Sequence, residues 1–480
     1  MGLSGLLLLN VIYLALGAGL VCWLRTARTW GELASQLGLA YIAGLCVATL
    51  LVAELAVVNV PVGVPALAVA AVLTLLTGLR RFRPERISET EPRIWGSRLI
   101  GIAALVQTGL LLAVAGSAFA VRPLSEWDGW AIWGVKARAL FAFGGISNPV
   151  FESHVYAHHM QDYPLFVPAL EATAYRAIGG VNEQLVHLQL LGLAVGFAGA
   201  LWAVLRPRVP AELLGLSMLA IVAAPGVLDA LAANYADVPL AIFVALGVAA
   251  LARWLLEPQA RTLPWAVLFL TSAVLTKNEG AVFAAAALLA ALVLAPRRRT
   301  VLAAAACVYA PLVPWRVFIA VHHLHDQALR ASDFRPLSLA RHTHRIAPSA
   351  SRLVQELLFA HHGLLIPMAL IAAVGALVAG RGRLVLFGVL WFGLSFAGLV
   401  LAYWASPLQL DWYLATSAPR IVLPLIVGSA ALAPLFAGEV WRSALRDLRV
   451  PAFAFQNGWY TSTSTPTPTS TAPSSSEGSA

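Results

Sequence analysis

Two lysines and a few carboxylates are the residues best placed to do chemistry. Arginine occurs thirty times in this chain and lysine only at Lys136 and Lys277, so neither lysine reflects a compositional habit. Glu126 and Asp128 form a Glu-Trp-Asp motif, Glu279 follows Lys277 by two residues, and Asp229, Asp237, Asp411 and Arg420 sit in other polar breaks. All are embedded in apolar sequence, where an unpaired charge is costly and marks a candidate site. Each also has a plainer reading. Lys277 could snorkel to an interface, Asp237 could cap the helix that follows it, and Arg420 could pair with Asp411.

The histidines suggest a second chemistry. His154 and His158 have the i, i+4 spacing that places two ligands on one α-helical face, with His159 beside them and His322, His323, His325, His342, His344, His361 and His362 in other loops. A divalent metal at His154 and His158 is one reading, and water-facing doublets are the other; no cofactor is certain. Cys22, Cys46 and Cys307 lie singly in apolar runs and read as core filler.

The elements that hold these residues must be membrane helices. The chain is 60% hydrophobic and 11% charged, with a mean hydropathy of +0.79, whereas soluble domains are about half apolar and about a quarter charged. Soluble enzymes, nucleic-acid binders and disulfide scaffolds are excluded. Thirteen apolar runs are predicted to span, at 3–24, 37–60, 64–79, 99–121, 185–205, 212–228, 238–252, 263–276, 281–295, 301–320, 364–380, 384–403 and 421–437. Twenty of the 32 basic residues then fall on one side, six of them arginines in 80–98, which should be cytoplasmic. The net charge of +9 is thus a topology signal and implies no nucleic acid. The first span has no basic region before it and reads as uncleaved, with its N-terminus outside. Residues 461–480 are Ser, Thr or Pro at 16 of 20 positions and read as a disordered cytoplasmic tail.

All histidines, both lysines and most of the embedded acids fall on the outer side of this topology. The longest outer loop, 122–184, carries Trp127, Trp130 and Trp133 at every third position. That stripe predicts a short helix lying in the interface, its indoles screening Asp128 from bulk water. Asp162-Tyr163-Pro-Leu-Phe-Val-Pro begins a second helix of the same kind. Two interfacial helices that merely seal the bundle are the plain alternative.

These features resemble the GT-C superfamily of polyprenyl-phosphate-sugar-dependent glycosyltransferases, such as protein O-mannosyltransferases and lipid A aminoarabinose transferases. The resemblance lies in the acidic opening of the first long outer loop, the Tyr-Pro-Leu helix start, Tyr235-Ala-Asp237-Val-Pro239, Leu275-Thr-Lys277-Asn-Glu279-Gly280, Pro314-Trp-Arg316, and Ser417-Ala-Pro-Arg420 with Leu423-Pro424. It covers about residues 99–425. The departures are three extra spans before the module and Glu-Trp-Asp in place of adjacent acids, which leaves the roles of Glu126 and Asp128 to be divided.

The resemblance implies an all-α polytopic membrane enzyme. It has a three-span extension at 1–98, a seven-span catalytic module at 99–320, a loop and three spans at 321–450, and the tail at 451–480. It implies an inner-membrane transferase with its site on the extracytoplasmic face, a polyprenyl-phosphate-linked sugar donor, a glycan, lipid or protein acceptor, and contact with membrane lipids. A phosphate leaving group needs no protonation, so one carboxylate suffices to take the acceptor proton and cations hold the phosphate. On this reading Asp128 is the base and Glu126 an orienting acid, while Lys136, Tyr163, Asp237, Lys277, Glu279 and Arg420 bind substrate. A transporter or flippase would instead place charges near mid-span in repeated halves, and a membrane scaffold would need none of them. An O-antigen-ligase-type transferase would use a late loop such as 321–363.

Overall fold

A computed structural model describes residues 2–84, 95–121, 124, 126–325, 329–360 and 362–447. The expectations for Arg86, Arg93, Arg449, His361 and the 461–480 tail lie outside the described residues. Among these residues there is no β-strand. The helices are α1 (Gly2–Leu24), α2 (Trp30–Ser35), α3 (Leu37–Val57), α4 (Val64–Arg81), α5 (Trp95–Phe119), α6 (Val135–Phe143), α7 (Pro149–Glu152), α8 (Phe166–Ile178), α9 (Glu183–Leu205), α10 (Ala211–Ala223), α11 (Pro225–Ala232) and α12 (Asp237–Leu256). They continue as α13 (Leu263–Val274), α14 (Asn278–Leu294), α15 (Arg298–Tyr309), α16 (Leu312–Val321), α17 (Pro336–Arg341), α18 (Ile346–Phe359), α19 (Leu365–Val378), α20 (Gly382–Ala405), α21 (Leu410–Ile421) and α22 (Leu423–Asp447).

Each of the thirteen apolar runs is helical, but thirteen full-length spans are not found. Eight helical stretches among the described residues are long and apolar enough to cross a membrane, and ten if each of two bent pairs counts as one span. The pairs are α10 with α11, bent by 58°, and α15 with α16, bent by 47°. Both breaks fall at proline, Pro225 and Pro311, which lacks the N–H needed to continue the ladder. α13, α14 and α19 have only 12, 17 and 14 residues. At 1.5 Å per residue they fall short of the ~30 Å hydrocarbon core.

α12 is the axis of the bundle. Its sequence is apolar on every side, as a helix enclosed by others must be, and α9, α13, α14 and α22 pack around it. Its whole apolar window is buried. The N-terminal spans pack against α8, α9 and α13 through small residues. A Cβ on Gly44 would lie 1.8 Å from the Tyr13 carbonyl oxygen, so α1 and α3 meet closely only because that side chain is absent.

The two ends of α12 differ in chemistry. At its C-terminal end, Arg208 pairs with Glu257 at 2.7 Å and with Glu439 at 3.0 Å, and Arg381 reaches Glu439 at 3.0 Å. Arg442 donates to the Arg208 and Pro207 carbonyls, Arg261 to that of Leu24 and Arg383 to that of Leu294. The arginine-bearing loops therefore gather at one end, as the topology required.

Candidate functional site

The opposite end of α12 begins with Asp237, where the positive pole of the helix favours a carboxylate. Asp237 does not act as the cap; its Oδ1 accepts from Lys277 Nζ at 2.9 Å, and Glu279 lies 3.5 Å from the same ammonium. Lys277 reaches this position because α13 and α14 turn sharply at Leu275-Thr276-Lys277. Gly280 permits the turn, since a Cβ there would fall 1.9 Å from the Ala273 carbonyl oxygen. Burial alone would pull the Lys277 ammonium down, but Asp237 and Glu279 outweigh it and hold the group above its ordinary range. Lys277 is buried and paired, not snorkelling.

A second pair joins it from remote sequence. Arg420, on α21, donates to Asp128 Oδ2 at 2.6 Å. Its guanidinium lies 4.4 Å from the centroid of the Tyr235 ring, and the Tyr235 hydroxyl donates to Glu126 Oε2 at 3.3 Å. Arg420 also acts electrostatically on Asp237 and Lys277. Asp411 is exposed and takes no part in this pair. Burial raises the Tyr235 hydroxyl above its usual range, against the pull of Arg420. Glu126, Asp128, Asp237, Lys277, Glu279 and Arg420 thus share one cluster, held by the ion pairs Asp128–Arg420, Asp237–Lys277 and the longer Glu279–Lys277.

The first outer loop frames this cluster in a form the periodicity did not predict. Asp128–Gly134 is a π-helical turn running into α6. Its wider winding breaks the expected tryptophan stripe: Trp127 is 55% exposed, Trp130 is 38% exposed, and Trp133 is buried at 1%. Trp127 and Trp130 meet edge to face at 5.2 Å, whereas Trp133 stacks on Tyr163 with centroids 5.5 Å apart. π-turns inside helices are frequent at functional sites. The second expected interfacial helix, α8, is instead a packed core element, buried at all but one of its 13 residues. The Phe166 N–H, at its start, donates to the Leu275 carbonyl at 2.9 Å and locks the loop onto the Lys277 turn.

Lys136 is placed differently from the expectation. It is fully buried behind the Trp133–Tyr163 stack, donates to the Met160 carbonyl, and does not face the cluster. Burial pulls its ammonium down to about 7, with Asp162 opposing. The Tyr163 ring neighbours both lysines, its centroid 5.7 Å from Lys136 Nζ and 5.6 Å from Lys277 Nζ. Asp162, raised by burial against the field of Lys136, accepts from Asn278 at 2.5 Å, and Arg316 donates to the Asn278 side chain at 2.7 Å. Arg316 is exposed, and its partner Asn278 follows Lys277 in the chain.

The shared α-helical face expected for the loop histidines is not formed. His154 and His158 lie on a 3₁₀ turn, His154–His159, where three residues per turn carry i and i+4 to different faces. Among the described residues no three His, Cys, Asp or Glu side chains come together to hold a metal. His159 instead bonds the Ala131 carbonyl through Nδ1.

Sequence reasoning passed over Tyr235, Asp162, Asn278 and Glu171 as site residues. Tyr235 and Asn278 each stand within two residues of a residue it did select. Glu171 is a lone carboxylate on the apolar helix α8; burial raises it to about 8, and Asn234 donates to it at 3.0 Å.

No protein-family model matches this chain, and neither a curated protein nor a solved structure matches it.

Proposed function

We propose that this protein is a membrane glycosyltransferase that moves a sugar from a polyprenyl-phosphate donor to an acceptor hydroxyl or amine on the extracytoplasmic face of an inner membrane. The observation that carries the reading is the Asp128–Arg420 pair. It joins residues 292 positions apart at the end of α12 opposite the arginine-bearing loops, and about a fifth of each side chain stays exposed. A half-open carboxylate–guanidinium pair can exchange partners, the arginine turning to an incoming phosphate and the freed carboxylate serving as base.

In the reaction, the acceptor oxygen or nitrogen attacks the anomeric carbon while the bond from that carbon to the phosphate oxygen breaks. The acceptor proton passes to Asp128, and the polyprenyl phosphate leaves as an anion held by Arg420 and the exposed Arg316. Lys277 is committed to Asp237 and Glu279, so it fixes the floor of the site. Lys136 and Trp133 hold Tyr163, and Glu126 orients Tyr235 under Arg420.

The test is transfer from a panel of polyprenyl-phosphate hexoses by the full chain in proteoliposomes. Asp128→Asn should reduce turnover about a hundredfold, and Glu126→Gln should cost less. If Glu126→Gln is inactive and Asp128→Asn works, the base is Glu126. If both retain full turnover, the transferase reading fails, and counterflow of the same lipids becomes the experiment for a flippase.

A further inference from the structure

A separate pocket of about 470 Å³ opens at the arginine-rich end, away from the carboxylate cluster, between α2, α3, α5, α9 and α13. Its size is in the range of small-molecule sites, about 300–1,000 Å³. Its polar lining includes Glu32, Arg206, Arg253, Thr262 and Trp265. The Thr262 hydroxyl and the Trp265 indole nitrogen are both buried, on residues 4% and 2% exposed, and neither has a hydrogen-bond partner. Thr262 stands at the N-cap of α13 yet makes no side-chain cap bond. Two unpartnered donors buried in the wall of the cavity, with Arg206 and Glu32 in its lining and Arg253 already held by Glu257 and the Val204 carbonyl, suit an oxyanion of charge about −1.

The pocket continues into an apolar groove of about 520 Å³ along α5, α9 and α10. Leu105 and Trp202 line both. On α5 the combined lining runs from Gly101 to Ala113, which is about 18 Å of helix, close to one leaflet of a ~30 Å hydrocarbon core. The groove floor is open at Gly109, where an added Cβ would meet nothing within 4 Å.

We propose that pocket and groove together bind one membrane glycerophospholipid, its phosphodiester beside Arg206, Thr262 and Trp265 and one acyl chain along α5. Glu32 in the lining disfavours a doubly charged phosphomonoester, and the apolar groove disfavours a free, water-soluble phosphate. The site is independent of the transferase reading.

The test is equilibrium binding of fluorescent phosphatidylglycerol to the full-length protein in detergent, with competition by unlabelled dioleoyl-phosphatidylglycerol, dioleoylglycerol or glycerol 3-phosphate. Only the phospholipid should compete well, at least tenfold better than either of the others. Arg206→Gln should weaken binding about tenfold by removing the phosphate contact. Gly109→Phe should weaken it comparably by filling the groove, and its exposed position leaves folding unaffected. Equal competition by dioleoylglycerol would show that phosphate is not recognised, and equal competition by glycerol 3-phosphate would show a soluble-ligand site. Either result, or wild-type affinity in both variants, overturns the proposal.

Discussion

The two ends of α12 carry the same kind of interaction in opposite states. At the arginine-rich end, Glu439 is 1% exposed and held between Arg208 and Arg381, while Arg261 and Arg383 cap the last carbonyls of α1 and α14. At the other end, Asp237–Lys277 is closed in the same way, but Asp128–Arg420 beside it stays partly open. Closed pairs fasten helices together. A half-open pair, placed on closed ones, keeps a defined geometry and can still give up its partner to a ligand.

The largest effect should come from breaking a closed pair. Lys277→Met leaves Asp237 buried without its cation and should cost about 3–5 kcal/mol of stability, read as denaturation in detergent. The double variant Lys277→Met/Asp237→Asn should recover much of that loss. A single variant as stable as wild type would mean that this pair is not a closed one.

The sharpest contrast between the ends is a crossed comparison. Glu439→Gln should lower stability by about 1–3 kcal/mol and leave turnover per folded molecule unchanged. Asp128→Asn should change stability by less than about 1 kcal/mol, since its pair is partly solvated, yet lose most transfer. If Glu439→Gln abolishes transfer and Asp128→Asn does not, the assignment of the two ends is reversed.

A smaller effect is expected from pH. Lys136 falls from its ordinary 10.5 to about 7 in the fold. Between those values the unfolded chain holds a proton that the native protein does not, so stability rises with pH across the interval. Glu171, raised from 4.5 to about 8, gives the opposite slope between those values. Above about pH 8 the Lys136 contribution is left without that opposition. Lys136→Met should therefore flatten the rise in thermal midpoint between pH 8 and 10. The smallest effect should be that of Tyr235→Phe, which keeps the ring under Arg420 and deletes only the bond to Glu126. A hydrogen bond of about 0.5–1.5 kcal/mol predicts roughly a two- to tenfold fall in turnover.

Much of the architecture was legible because lipid imposes a simple rule on sequence. Backbone polar groups must be satisfied within the segment, so long apolar runs become helices, and every predicted run is helical. The gathering of the arginine loops followed from charge placement alone. Span number was less legible, because hydropathy measures how apolar a run is and not where its ladder ends. α13, α14 and α19 stop short at turns and caps that average hydropathy does not register.

Within the candidate site, sequence singled out most of the charged residues that the fold brings together, because a charge in apolar surroundings needs a partner and few partners were available. It could not determine who pairs with whom. Arg420 was as compatible with Asp411, nine residues away, as with Asp128, and only the packing of α21 beside the first outer loop decided it. Likewise a tryptophan at every third position implied a common face, and a π-turn split that face between surface and core. Lys136 and Lys277 are the same residue type in similar apolar sequence. One is buried behind an aromatic stack and the other bridges two carboxylates, because electrostatic partnership depends on distances of a few ångströms that folding alone sets.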